Sequence, residues 1–476
     1  MNGAILAIDQ GTSGTKSIVV GADDTILALV ETAIRPSYLP DGGVEQDPAE
    51  LLDSVLDTAR QAVRQAGVPL AGVTLTNQGE TVLAWDPKTG EPLSELIVWQ
   101  DSRAQSVCDE LTGHAELIAA RTGLVLDPYF TAPKMTWLRR NRTRQGVLTT
   151  SDAWILHRLT GEFVTDIATA SRSLLKSQRQ RDWDPELLGL FGLADERMPR
   201  MAANDEILGH TALFGNPVPV AGAVVDQQGA LLAESCLAPG EAKCTFGTGA
   251  FLLVNAGTQP RPSTAGLAES TAWLVDDVQS YCYDGQVYTV ASAVRWLTQL
   301  GVIDHARELD RLAVPDAEGV MFVPALAGLA APWWRSDARA ALAGMNLASG
   351  KAQIVTAVLQ GIAANVAVLA ELVEQDSGQQ ISRLRVDGGL TRSRYLMQAI
   401  ADLMQVEVET YSSPHATPLG AVALARKALD PARSLADCVP AWQPAGRFSP
   451  AWSPAQATAF LGRWRAVVDQ MAGGRS

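Results

Sequence analysis

Asp9 ends an apolar run over 4–8 and is followed at once by Gln10-Gly11-Thr12-Ser13-Gly14-Thr15-Lys16, after which the chain turns apolar again. Five to eight apolar residues bounded by turn residues read as a buried strand, so this stretch predicts strand, tight loop, strand. Gly11 and Gly14 let successive backbone N–H groups converge. Thr12, Ser13 and Thr15 add hydroxyls and Lys16 a cation, a set that suits a phosphate chain. Asp9 is the ligand type of a magnesium hydration shell. A Walker A loop is excluded, because its spacing is absent and a strand follows in place of a helix. Taken alone, the stretch reads equally as a phosphate cradle or as an ordinary hydrated hairpin.

Three more segments bear on that choice. A second apolar strand, 218–225, ends in Asp226-Gln227-Gln228-Gly229, and a helix closing at Pro239-Gly240 is expected after it. A carboxylate at such a strand end is fixed and partly desolvated, as a general base requires; a helix cap is the other reading of Asp226 by itself. Residues 243–255 repeat the opening pattern, strand then Gly247-Thr248-Gly249 then strand, and a repeated supersecondary unit points to a duplicated domain. Gly388-Gly389 follow a strand over 383–387 and precede a helix expected from about Thr391, where backbone and helix dipole can meet an anion. The loops at 9–16, 247–249 and 388–393 come from both halves of the chain. A nucleotide lying in an interdomain cleft would need that arrangement, and phosphoryl transfer asks mainly for positioning, charge stabilisation and a base.

The elements that must hold these residues read as α/β. A third strand over 25–29 completes a meander, and Asp47-Pro48-Ala49-Glu50 supplies an N-cap, a proline at N1 and an acid at N3 for a helix through about 66. Further strands are expected at 72–78, 96–101 and 319–324. The region 104–205 reads as largely helical, with Trp137, Trp154 and Trp183 as packing residues. Apolar spacing predicts a core-facing helix over 351–375, and Ser453-Pro454 starts a last one. At 476 residues the chain exceeds one core, and the repeat places the domains at 1–238 and 239–476. A net charge of −14 argues against a nucleic-acid partner. No run approaching about 18 apolar residues, no leader and five scattered cysteines predict a cytoplasmic protein with reduced thiols, without a membrane span or zinc site.

Taken together, the motifs resemble the FGGY carbohydrate kinases, nearly end to end. Asp9-Gln10-Gly11-Thr12 resembles the first phosphate loop, Val44-Glu45-Gln46-Asp47-Pro48 the helix start that follows it, and Tyr129-Phe130-Thr131-Ala132-Pro133-Lys134-Met135-Thr136-Trp137-Leu138 the first family signature. Thr76-Asn77-Gln78-Gly79-Glu80-Thr81, Ile97-Val98-Trp99-Gln100 and residues 123–130 resemble the glycerol-phosphorylating members. Asp226-Gln227-Gln228 and Phe246-Gly247-Thr248-Gly249 resemble the catalytic and second phosphate segments. The resemblance implies a duplicated ribonuclease-H-like, actin-like ATPase fold closing over Mg·ATP. It implies Asp226 as base, Asp9 as the magnesium-associated carboxylate, and Thr12, Ser13 and Lys16 on the β- and γ-phosphates. Gly247 and Thr248 would face the transferring end, with Ala291 and Arg295 nearby and Gly389 and Ser393 against the α-phosphate and adenosine. The acceptor, a small polyol or sugar, would meet Gly79, Glu80, Trp99, Tyr129, Asp226, Gln227 and Phe251. Carboxylates accept from vicinal hydroxyls and aromatic rings cover a polyol's C–H face. A dimer or tetramer is compatible with this class; no stretch specifies one.

Departures from the pattern bear on the acceptor. The glycerol-phosphorylating members carry an arginine where this chain has Gly79, so a two-pronged donor is missing and space is gained. The 9–16 loop is nearer the xylulose-phosphorylating members, and Ala291 and Arg295 stand where those acting on glycerol have Gly and Gln. Residues 210–216 lack the basic glycine-rich loop of fructose-1,6-bisphosphate inhibition, so no such feedback is expected. The expected activity is ATP-dependent phosphorylation of a terminal hydroxyl of glycerol or a similar small polyol. A four- or five-carbon polyol or ketose such as erythritol or xylulose is the alternative acceptor. A binding machine of the actin or chaperone-ATPase kind is the alternative from another class. Whether Asp101 and Arg103 contact the acceptor or only brace the site is left open.

Overall fold

The computed structural model describes residues 3–335 and 337–472. Its frame is one sheet pattern used twice. In the first half the strands lie in the order Ile207–Thr211, Val218–Val225, Leu70–Asn77, Ala4–Gly11, Gly14–Val20, Ile26–Ala33. The last three form the antiparallel meander that the turns at 12–13 and 21–25 demand, while 4–11, 70–77 and 218–225 run parallel. The second half repeats the pattern: Val278–Val287, Ala250–Gly257 and Ala242–Phe246 form the meander, followed by Arg383–Asp387, Glu407–Tyr411 and Pro444–Phe448. It adds one outer strand, Ala268–Val275. Parallel neighbours need a crossover, supplied by the helices Pro48–Ala66 and Lys351–Ser377.

Local chemistry fixes the ends of these elements. Asp47 caps the first crossover helix by accepting from the amides of Ala49 and Glu50, and Gly67 closes it in the left-handed conformation. The second crossover helix is long and apolar enough to cross a membrane, which amends the expectation from composition. However, 83% of its apolar window is buried in the second core, as a soluble core helix would be. Two other ends depart from expectation. The helix Asp226–Ala233 stops six residues before Pro239, since Ser235 takes the left-handed conformation without being glycine. After Gly388 the chain makes a 3₁₀ turn, Gly389–Arg392, so the α-helix begins at Arg394 with Ser393 as its N-cap.

Residues 78–205 form an insertion between the second and third parallel strands of the first half. It is built of short helices and supplies three strands (82–85, 96–97 and 147–150) to a five-stranded sheet, whose other two strands, 37–38 and 44–46, precede the first crossover helix. Its tryptophans do pack: Trp154 is buried and donates to Gly90 O, Trp183 donates to Pro199 O, and Trp137 lies under Arg103 and Arg142. The halves interlock at the helices Asp226–Ala233 and Ala416–Leu429, where a Cβ on Gly420 would fall 1.8 Å from Gly229 O. Only glycine fits there. Arg426 extends this contact, donating to Gly21 O at 2.8 Å and pairing with Asp24.

Candidate active site

Strand register brings the chemistry together. Asp9 lies beside Thr76 and Asn77 beside Val225, so the carboxyl ends of the three parallel strands present 9–12, 77–80 and 225–228 along one edge, where ligands of open α/β sheets bind. In the second half Thr245 lies beside Asp387, which places Gly247-Thr248-Gly249 and Gly388 at the matching edge. Gly388 must be glycine: its φ is +95° and a Cβ would fall 2.4 Å from Phe246 O.

Between these edges lies a cavity of about 270 Å³. Of the residues expected at the site, Thr12, Ser13, Gly79, Glu80, Trp99, Tyr129, Asp226, Gln227, Thr248, Phe251 and Arg295 line it. Its aromatic wall is Trp99, with Tyr129 at 5.5 Å and Phe251 at 6.3 Å between ring centroids, both edge to face. Trp99 Nε1 donates to Thr12 Oγ1 at 2.8 Å, which ties the acceptor wall to the phosphate loop; Gln46 Nε2 holds Thr12 O at 2.8 Å from below. Asp226 lines the same cavity. Burial pushes its carboxyl up to about 6, with Asp9 adding to the rise and Lys243 opposing it. Asp9 is raised to about 6 by the same cause, against Lys16 and the Thr76 hydroxyl, which donates to Asp9 Oδ1 at 3.1 Å. Lys16 faces Asp9 across the hairpin without lining the cavity.

The remaining expected residues are placed differently. Gly247 and Ala291 are bonded to each other: Ala291 N donates to Gly247 O at 3.2 Å, and Val290 N to Thr248 O at 3.0 Å. The Ala291 amide is therefore committed, whereas Arg295, one turn on in the same helix, reaches the cavity. Gly389 and Ser393 line a separate recess of about 500 Å³ with His305, Arg307 and Asp310, and Ser393 Oγ donates to Asp310 at 2.6 Å. Asp101 and Arg103 pair at 2.6 Å, Asp101 accepts from Val44 N at 2.7 Å, and Arg103 reaches Glu45 at 2.8 Å, while Asp101 also lines a recess next to the cavity.

Gly79 lines the cavity with Arg172 as its neighbour. A Cβ at 79 would sit 3.8 Å from the Arg172 Nε and 3.0 Å from Val225 Cγ2.

Three further side chains at the site owe their roles to long-range contacts. Arg172 pairs with Glu80 and with Asp284. Lys243 donates to Gln227 Oε1 at 2.5 Å and Thr245 Oγ1 at 2.9 Å, behind Asp226. Lys134, fully buried, gathers the carbonyls of Pro128, Tyr129 and Phe130 on one ammonium, and so fixes the turn that presents Tyr129. Burial lowers Lys134 to about 8, with the charge of Glu80 opposing the drop. Lys134→Met removes the ammonium that these carbonyls share and frees Tyr129 to shift. The acceptor KM is expected to rise about tenfold or more with the ATP KM unchanged, by steady-state kinetics.

Two equivalent sheets, with glycine turns facing each other across one cleft and a carboxylate at its centre, define a class: the two-domain phosphotransferases of the actin-like ATPase fold. Models of the FGGY carbohydrate kinases match this chain over 4–233 for the N-terminal domain and 242–429 for the C-terminal domain, and the chain belongs to that family. It is 40% identical to a glycerol kinase of Alkalilimnicola ehrlichii, covering 99% of this chain and 98% of that one. It is 37% identical to one of Chromobacterium violaceum, covering 98% and 97%. The structure superposes on Plasmodium falciparum glycerol kinase with ADP at a TM-score of 0.92 and 29% identity, over 99% of this chain and 98% of that one. It shares its fold with a xylulose kinase of Lactobacillus acidophilus, at a TM-score of 0.90 and 21% identity over 99% of both chains. The protein is accordingly an enzyme, a phosphotransferase with an alcohol acceptor, and the binding-machine alternative falls away.

Proposed function

We propose that this enzyme transfers the γ-phosphoryl group of Mg·ATP to a terminal hydroxyl of glycerol or a similar small polyol. The observation that carries the reading is that Asp226 lines one cavity together with Glu80, Trp99, Tyr129 and Phe251 on the acceptor side and Thr12, Ser13, Thr248 and Gly249 from the glycine turns. Asp226 takes the proton of the attacking hydroxyl as the new O–P bond forms and the bond to the β-phosphate oxygen breaks, releasing ADP. Thr12, Ser13 and Lys16 hold the β- and γ-phosphates, Thr248 meets the transferring group from the far side, and Arg295 adds positive charge. The recess beside Gly389 and Ser393 takes the adenosine end, and the domains divide near residue 238.

Magnesium fits Asp9. Among the described residues no group of three or more acidic, His or Cys side chains could hold a metal by itself. A single carboxylate beside the phosphate loop matches a magnesium carried mainly by phosphate oxygens and water. When bound, it neutralises charge on the phosphates.

A second acceptor class, four- and five-carbon polyols or ketoses, is favoured by one feature. A neighbouring recess of about 540 Å³, reaching Asp127 and Trp334, shares Trp99, Gln100, Tyr129 and Tyr288 with the acceptor cavity. Acceptor-stimulated ADP release over a panel of C3 to C6 polyols and ketoses decides between them. The highest kcat/KM is expected with glycerol; a C5 ketose at the head of the ranking would replace it, and no stimulation by any member would refute the polyol reading.

A further inference from the structure

The floor of the acceptor cavity holds more charge than a base and one carboxylate need. Arg172 follows the short helix Ile167–Ser171, whose N-cap Asp166 accepts from the amides of Ala168 and Thr169, so its backbone is fixed. Its side chain is 4% exposed. Nε pairs with Glu80 Oε1 and Nη2 donates to Asp284 Oδ2 at 2.9 Å. Both remaining contacts, Nη1 to Ser270 Oγ and Nη2 to the Tyr129 hydroxyl, are stretched to 3.5 Å. A guanidinium has five N–H donors in one plane, and only two are well used here. Beside it stand buried acceptors without a protein partner, Gln228 Oε1 and Asp284 Oδ1, and Gln228 itself lines the cavity. Glu80, which Arg172 holds, takes a φ of +59°, a conformation a side-chain-bearing residue keeps only where its surroundings impose it. Glu80 and Arg172 come from the first half of the chain, whereas Ser270 and Asp284 come from the second.

We propose that Arg172 is the acceptor-reading cation of this site and sets a requirement for a vicinal diol. Glu80 and the guanidinium offer an acceptor and a donor side by side. Two hydroxyls on adjacent carbons match that pair, one donating to Glu80 and the other accepting from a spare Nη N–H. The hydroxyl that is phosphorylated must therefore have a neighbouring hydroxyl. This inference rests on the polyol-kinase reading above and adds the acceptor class to it. Lysine at 172 would keep the charge and lose the fork.

The test compares glycerol with 1,3-propanediol, which lacks the middle hydroxyl, in wild type, Arg172→Lys and Asp284→Asn. Wild type is expected to prefer glycerol by about 10³-fold or more in kcat/KM, since a site built to bond a hydroxyl strongly rejects its absence. In Arg172→Lys the preference is expected to shrink to about tenfold, with the ATP KM within about twofold of wild type. Equal losses for both diols in Arg172→Lys would make Arg172 a brace for Glu80 and overturn the proposal, as would a wild type that accepts both diols alike. Should Arg172→Lys fail to fold by circular dichroism, Asp284→Asn keeps the guanidinium but loosens one anchor. Its preference must fall, and a wild-type ratio there overturns the proposal as well. Absence of ADP release with every polyol in wild type is a separate outcome, which would remove the kinase reading itself.

Discussion

Asp226→Asn is expected to lower kcat by about 10³-fold while leaving nucleotide affinity within a few-fold of wild type. Asparagine keeps the shape and the bond from Gln227 N, which Asp226 Oδ1 accepts at 2.7 Å, but it cannot take a proton from the attacking hydroxyl. Isothermal titration with ADP, set beside turnover, separates the two effects; substantial remaining turnover would show that the proton leaves by another route. The pH profile gives an independent check. The base must be ionised, and burial holds its carboxyl at about 6, so kcat/KM is expected to be flat above that value and to fall below it. Asp226→Asn, in whatever turnover remains, should lose that acid limb.

Gly420→Val is expected to destabilise the fold by about 3 kcal/mol or more, at the upper end of what overpacking does. A Cβ at 420 would lie 1.8 Å from Gly229 O and 2.6 Å from Gly229 C, both backbone atoms that cannot swing aside. The helices Asp226–Ala233 and Ala416–Leu429 would have to separate, and Asp226 is the first residue of one of them. Urea denaturation followed by tryptophan fluorescence measures the loss. A midpoint like that of wild type would mean that the helices part freely and that the close crossing is not needed for stability.

Much of this was legible in the sequence because it is local. The hairpin at 4–20 could be seen in two apolar runs and a glycine turn, the helix Pro48–Ala66 in its cap, and the duplication in the echo of 9–16 at 247–249. Glu80, Trp99, Tyr129 and Phe251, named on the resemblance, do share one cavity with Asp226. What escaped is what long-range contact decides. Arg172 lies 92 residues from Glu80 and 112 from Asp284, and nothing in Ser171-Arg172-Ser173 announces that it pairs with both. Lys134 stood inside the quoted signature, but its purpose appears only when the turn at 128–130 brings three carbonyls onto it. Ser393 lines the recess beside Gly389, and its hydroxyl also caps the helix that starts after it and donates to Asp310, a partner 83 residues away that local sequence does not show.

The duplicated frame is symmetric where phosphate is held and asymmetric where the acceptor is read. Its glycine turns occupy equivalent strand ends, while Glu80, Trp99, Tyr129 and Arg172 all belong to the insertion. The first half places residues 78–217 between its second and third parallel strands, and the second half only 388–406. The repeated frame thus carries the glycine turns, and one lengthened connection carries Glu80, Trp99, Tyr129 and Arg172 into the cavity. Change in that connection can move such an enzyme from one polyol to another without touching a turn that holds phosphate, and a single lineage can diversify its diet on a constant engine.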